Sequence, residues 1–488
     1  MIRTRLAALA LVGAFTIGAA GVAKAQDNGA LLDLLVRKKL ITDQEAENVR
    51  AELLRENAAT SAGKWNISQP VTQIKLYGDA RVRYAVQEGR SGGTFAAPNS
   101  GDHGQTDRFR YRLRLGLDVN VTDNWLLGIR LETNTDARST NVTVGDPGNA
   151  IFGKSGINVG QLHLRYTPNQ WMAFDAGKFA NPFVTTDMVW DKDINPEGFT
   201  EQFKYTLNVP GFRLGSRHAA SADGKNAAAF EPEPSPMALD LFANFGQFIY
   251  ANALENSIGG LTQDSSDIWL LGWQVGAKLN FDKDTYVQVA PAFYYYTSTG
   301  KGYGPAAPPF NEANSATNAV NDLAILDIPA EIGWKMFDLP WSIFGDFAYN
   351  ARGADRATAA AIAAKHPLIT GNDIAYRVGL GVGNIKKKGD WEIRGAWQHS
   401  EEFALDPNLV DDDIFDGRLN MEGFVLWAGY AFTDAVTFRL QYARGERIND
   451  RLGTAGKGAI TTAQPTGLPA VNSLRDTQMI FVDLNLKF

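Results

Sequence analysis

One stretch, "RFRYRLRLGLDVNV" (108–121), constrains the fold more than any other. Arg108, Arg110, Arg112 and Arg114 occupy every second position, against Phe109, Tyr111, Leu113, Leu115, Leu117, Val119 and Val121. A strand turns successive side chains to opposite faces, so one face here carries the arginines and the other is wholly apolar. In a soluble sandwich the arginines would be the wet face. A wall between lipid and water is the stricter reading, because an arginine turned to lipid near the midplane costs roughly 2–4 kcal/mol. Nearby segments keep the same parity. Arg81 and Arg83 oppose Val82 and Tyr84, Arg130 and Glu132 oppose Ile129 and Leu131, and Arg377 opposes Tyr376 and Val378. The expected channel-lining set is therefore Arg81, Arg83, Arg108, Arg110, Arg112, Arg114, Arg130 and Arg377.

Period-two segments recur from residue 73 to the end. They are expected at 73–86, 106–121, 125–136, 159–166, 171–179, 199–208, 237–247, 268–281, 285–297, 323–337, 341–351, 373–384, 390–400, 419–432, 435–446 and 477–488. Sixteen is an even count, as a bacterial single-chain transmembrane barrel needs. Very short connections (122–124, 167–170, 282–284, 338–340, 386–389 and 433–434) alternate with long ones such as 87–105, 138–156, 298–322, 352–372 and 447–475. Short turns at one end and long loops at the other are the barrel pattern. The connection 209–236 breaks it, being long on the short-turn side; it hides a strand pair, or the register fails there. Trp125, Trp171, Trp341 and Trp391 start strands just after short turns, and Phe281 and Phe432 end strands just before them. These positions suit an aromatic girdle at one interface. The last segment runs to Phe488 with Ile480, Val482, Leu484 and Leu486 on one face, and it must pair with the first strand, since an open edge in lipid leaves backbone groups unsatisfied.

The chain opens with Arg3 and Arg5, an apolar run over 6–20 and the small-x-small triplet Ala23-Lys24-Ala25. This reads as an export signal over 1–25. Its removal takes three cations with it and moves the net charge from −7 to −10. No later apolar run approaches the roughly 20 residues a membrane helix needs. Mean hydropathy, −0.21, looks soluble, but barrels look soluble by this measure because each strand is apolar on one face only. The chain has no cysteine, so neither disulfides nor thiolate metal sites arise. His103, His163, His218, His366 and His399 are scattered without metal-ligand spacing, and no cofactor is expected. Residues 26–60 carry apolar residues at helical spacing, with Thr42 and Glu45 forming a capping box. They read as a periplasmic helical segment that tethers or oligomerises, or as an amphipathic helix on its own protein.

Dense arginines repel unless water, acids or anions screen them. They could form an anion-attracting ladder, or pair with acids on a loop folded into the lumen. The connection after the fifth strand, "NPFVTTDMVWDKDINPEGFT", carries Asp187, Trp190, Asp191, Asp193 and Glu197. It is the expected constriction loop over 180–198, with its acids set against the arginine wall.

The segments "LITDQEAENVRAELL", "GKFANPF", "WDKDINPEG" and "KKKGDW", with the terminal Phe, resemble the putative porin family of Gram-negative outer membranes, and more distantly the phosphate-selective porins. The resemblance spans the mature chain. It implies a 16-stranded, trimeric, passive diffusion channel for small hydrophilic solutes or ions, set in the outer-membrane bilayer.

Two motifs point elsewhere and fail on context. "GNAIFGKS" (148–155) matches a P-loop pattern, but the alternating "VGQLHLRY" follows it where a helix is required. "GLGVGN" (379–384) lies in a strand and lacks the dinucleotide spacing. Two other functions are weighed against a porin. A barrel hydrolase would need a partner for inward His163, and no Ser or acid is identifiably paired with it. A structural barrel would contact the cell wall through the N-terminal helix. No feature points to nucleic acid.

Overall fold

The computed structural model describes residues 70–91, 103–134, 136–146, 152–209, 237–251, 268–297, 323–363, 370–450, 452–454 and 474–488, with 36–38, 42, 44–49, 68 and 368 besides. The export signal, most of the 26–60 segment and the interior of several long connections lie outside the described residues. The chain divides into two compact units, Met1–Ser68 and Gln69–Phe488. In the first, residues 44–49 are helical and the capping box is formed. Thr42 N donates to Glu45 Oε2 at 2.8 Å, and Glu45 N donates to Thr42 Oγ1 at 3.3 Å, satisfying donors that a helix start leaves open.

The second unit is a closed antiparallel barrel. Its wall strands are β1 (Val71–Ser91), β2 (His103–Val121), β3 (Trp125–Thr133), β4 (Ile157–Asn169), β5 (Met172–Lys178), β6 (Glu197–Val209), β7 (Met237–Ala251) and β8 (Ile268–Asn280). They continue as β9 (Tyr286–Val289 with Ala292–Tyr296), β10 (Ala324–Asp327 with Ala330–Met336), β11 (Leu339–Asn350), β12 (Ile374–Gly383), β13 (Trp391–Ser400), β14 (Met421–Ala431), β15 (Val436–Arg447) and β16 (Leu474–Lys487). Each pairs with its chain neighbours, and β16 pairs back onto β1 from Asp79↔Lys487 to Ser91↔Leu474. The terminal residue completes the seam: Gly78 N donates to Phe488 O at 3.0 Å, and Phe488 N donates to Gly78 O at 3.1 Å. The count of sixteen and the closure match the sequence expectation.

One detail differs. β9 and β10, expected as unbroken runs, are each interrupted, at Pro291 and Pro329. Proline has no N–H for the ladder; Ala290 N instead donates to Pro329 O and Val275 N to Pro291 O, at 3.0 and 3.1 Å. Residues 210–236 of the irregular connection lie outside the described residues. The strands that flank it, β6 and β7, are direct neighbours in continuous register from Gly198↔Phe248 to Val209↔Met237. In the long connections, a two-residue strand, Val142–Thr143, pairs with β2 at Arg110 and Tyr111, and a helix, α1 (Gly353–Ala363), follows β11.

The wall is inside out relative to a soluble domain. Val82 is 58% exposed while its neighbour Arg83 is 3% exposed. Leu76, Phe109, Leu164, Val378 and Ile393 likewise face outward and are exposed. Trp125, Trp171, Trp391 and Phe432 stand exposed at the short-turn end, and Trp125 stacks on Tyr166 at 4.6 Å.

Candidate functional site

The barrel interior is narrowed by two inward segments of chain. The first, residues 179–196, joins β5 to β6. It leaves and re-enters the wall at a cross-strand glycine pair, Gly177↔Gly198. Their φ angles are +119° and +145°, and a Cβ would lie 2.4 Å from Leu162 O in one case and 2.1 Å from Gln247 O in the other. Only glycine fits such a backbone without strain. The loop's apolar side, Phe183, Met188, Val189 and Trp190, packs against Phe248 and Tyr294 of the wall. Trp190 therefore anchors the loop: it is buried, 6.0 Å from Phe248 between ring centres, and its indole N–H donates to Ile194 O at 3.2 Å.

Polar wall residues hold the loop's backbone. Val184 N donates to Gln274 Oε1 at 2.9 Å, and Gln274 Nε2 donates to Val184 O at 2.7 Å. Thr186 Oγ1 donates to Asp346 Oδ2 at 2.5 Å. On the far side Asp193 meets Arg114 Nη1 at 3.2 Å, and Arg114 and Arg112 share Asp79. Within the loop, Lys192 pairs with Asp187 at 2.6 Å. Glu197 stands apart from this group. It begins β6, is largely exposed beside exposed Phe199, and pairs with Lys178 at 2.7 Å, so it does not join the other acids.

The second inward segment, residues 401–420 between β13 and β14, was missed in the sequence. It reads "EEFALDPNLVDDDIFDGRLN", and the signal was there: Phe403, Leu405, Val410, Ile414, Phe415 and Leu419 are large apolar residues in a connection. All are buried. The two loops cross and bond directly, Asp191 N donating to Leu409 O at 2.6 Å and Asp411 N to Asp187 O at 3.2 Å. Asp413 reaches Arg83 Nη1 at 2.6 Å.

Between loops and wall lies a cavity of about 510 Å³. Of the expected arginines, Arg81, Arg83, Arg112 and Arg377 line it; Arg138, Arg394 and Arg439 line it too and were not anticipated. Arg394 and Arg439 follow the parity rule used for their neighbours, so the sequence did hold them. The remaining four stand off the cavity. Arg108 bonds Gln87, Arg110 Nη2 donates to Ser139 Oγ at 3.0 Å, Arg130 pairs with Glu132 at 3.0 Å, and Arg114 holds Asp79 and Asp193. Acids from both loops, Asp187, Asp191, Asp193 and Asp411 to Asp413, complete the lining. His163 lies 3.7 Å from Asp175, which also holds Arg165 at 3.3 Å.

The loop acids divide by surroundings. Burial pushes the Asp191 carboxyl up, reinforced by Asp411 and Asp193, to about 11. Burial with Asp413 nearby raises Asp412 to about 7, and burial raises Asp411 as well. Asp413 and Asp187 are half-buried, yet the Arg83 guanidinium in one case and the Lys192 ammonium in the other hold them below the usual carboxylate range. Opposite charges facing across a narrow polar space can order water and orient passing dipoles or ions.

A closed barrel with an apolar outer face and a charged, constricted interior is a transmembrane β-barrel of the porin class. The family model described as "Putative porin" matches residues 18–318 and 306–488, and the chain belongs to that family. No curated protein matches it. Among solved structures it is similar to OprB of Pseudomonas putida at high pH (11% identity, 85% of this chain and 94% of that chain, TM-score 0.43). It is similar also to an anion-selective porin from Comamonas acidovorans (12%, 85% and 99%, TM-score 0.41) and to Salmonella typhi OmpF in complex with daunomycin (9%, 86% and 99%, TM-score 0.42).

Proposed function

We propose that this outer-membrane porin is a water-filled channel for passive diffusion of small hydrophilic solutes or ions, with charge selection made where the arginine wall faces the acidic loops. The observation that carries this reading is the cavity of about 510 Å³ between loops and wall, whose lining brings Arg81, Arg83, Arg377 and Arg394 together with the loop aspartates. Some lining charges are closed into pairs, Arg83 with Asp413 among them, but Arg377 and Arg394 make no ion pair among the described residues, which leaves cationic wall facing the space. In this reading residues 1–25 direct export, the 26–60 segment lies in the periplasm, and three copies associate in the bilayer.

The test is single-channel recording of purified protein in a planar bilayer, with the reversal potential under a salt gradient. Stepwise currents are expected, and the sign of the reversal potential tells whether arginines or aspartates dominate. Silence from folded, heat-modifiable protein would defeat the reading.

A further inference from the structure

Six aspartates crowd the crossing of the two inward loops, and they fall into two sets. Asp187, Asp193 and Asp413 each hold a cation: Lys192 at 2.6 Å, Arg114 at 3.2 Å and Arg83 at 2.6 Å. Asp191, Asp411 and Asp412 make no ion pair among the described residues, and these three converge. One carboxylate oxygen from each lies within 4.8 Å of the other two.

Asp191 supplies a second observation. It is 3% exposed. Its Oδ1 accepts Asp193 N at 2.8 Å, while its Oδ2 is buried without a hydrogen-bond partner, in a carboxylate set beside Asp411 and Asp412. A buried oxygen of this kind, next to two further carboxylates, costs free energy unless a proton or a cation sits among them. Cations that act on these acids have partners of their own: Lys192 pairs with Asp187, Arg138 Nη1 donates to Pro407 O at 2.7 Å, and Arg110 Nη2 donates to Ser139 Oγ at 3.0 Å.

We propose that Asp191, Asp411 and Asp412 bind one hard divalent cation of the calcium class, which ties the two inward loops together across the lumen. Oxygens bound to calcium lie about 2.3–2.6 Å from the ion, so two of them stand up to about 5 Å apart; the observed spread fits. The all-oxygen donor set excludes a preference for zinc or copper. Three carboxylates exceed the one or two that magnesium usually takes from protein. The cross-loop bonds of Asp191 N and Asp411 N place the carboxylates in advance, so little ordering remains for the ion to impose.

The test is calorimetric titration of Ca²⁺ into the full chain, refolded in detergent from lipopolysaccharide-free material and freed of ions with a chelator. Folding is verified by heat-modifiable mobility. One bound ion is expected, lost in Asp191→Asn and in Asp412→Asn and kept in Asp282→Asn, which alters an acid of a short turn. No binding by folded wild type, or binding unchanged in both loop variants, overturns the proposal. Should Asp191→Asn fail to fold, Asp412→Asn decides, since its side chain is less buried. The readout needs no current, so failure of the channel reading and failure of this one are separable.

Discussion

Arg83 Nη1 lies 2.6 Å from Asp413 Oδ1, a contact spanning 330 residues that pins the second inward loop to the first wall strand. The guanidinium is also held by Asp483 at 2.7 Å, so it bridges loop and wall. Replacing Asp413 with Asn leaves Arg83 one partner. A loss of about 1.5–3 kcal/mol is expected, the range for a hydrogen bond to a charged group. Thermal unfolding in detergent should show it, and single-channel records should become noisier. An unchanged melting temperature would mean the pair holds nothing in place.

The glycine pair at the base of the first loop gives a sharper contrast. Gly198→Ala must place a Cβ 2.1 Å from Gln247 O at φ +145°, whereas Gly389, at φ +89°, has nothing within 4 Å of its Cβ position. Gly389→Ala should cost about 1–2 kcal/mol, from the left-handed backbone alone. Gly198→Ala should cost more than that and lower the yield of heat-modifiable barrel. Equal behaviour of the two variants would refute the pivot.

With divalent cations chelated, charge selection should change with pH through Asp412, whose carboxyl sits at about 7 under burial and the repulsion of Asp413, partly offset by Arg138 and Arg110, with Asp136 adding further repulsion. It is neutral below that value and anionic above it. The reversal potential should move toward cations between pH 5.5 and 8.5, and Asp412→Asn should remove part of the movement. The same raised value favours the protonated folded state. Stability from this group is thus full below about pH 4, the ordinary aspartate range, and is lost as pH rises through about 7. Asp413, held low by Arg83, acts oppositely: its contribution is present above about pH 4 and disappears only as pH falls below that. A pH-independent reversal potential would sink the assignment.

The outer face can be probed at Val82, which is 58% exposed and adjacent in sequence to buried Arg83. Val82→Arg should destabilise the barrel in bilayers by about 2–4 kcal/mol if measured by reversible urea unfolding in vesicles. The same change in a soluble sandwich would be nearly silent, so a negligible effect would contradict a lipid-facing role.

The alternation of Arg108 to Val121 is a local property of the chain, and with it the sequence determined the strands, their parity, their number and the pairing of the last strand with the first. A period of two acts on neighbours, and lipid on one face permits only one register. The course of the connections is not local. Nothing periodic distinguishes residues 401–420 from an external loop, and only the folded barrel brings Asp413 to Arg83 and Leu409 to Asp191. Trp190, flanked by acids in sequence, turned out to be an anchor because Phe248 and Tyr294 wait beneath it. Glu197, two residues beyond Asn195, falls in β6 and joins Lys178 instead. Which wall arginines line the cavity was likewise decided in three dimensions, because the loop acids that neutralise some and leave others open come from segments remote in sequence, from 79 residues for Arg114 and Asp193 to 330 for Arg83 and Asp413.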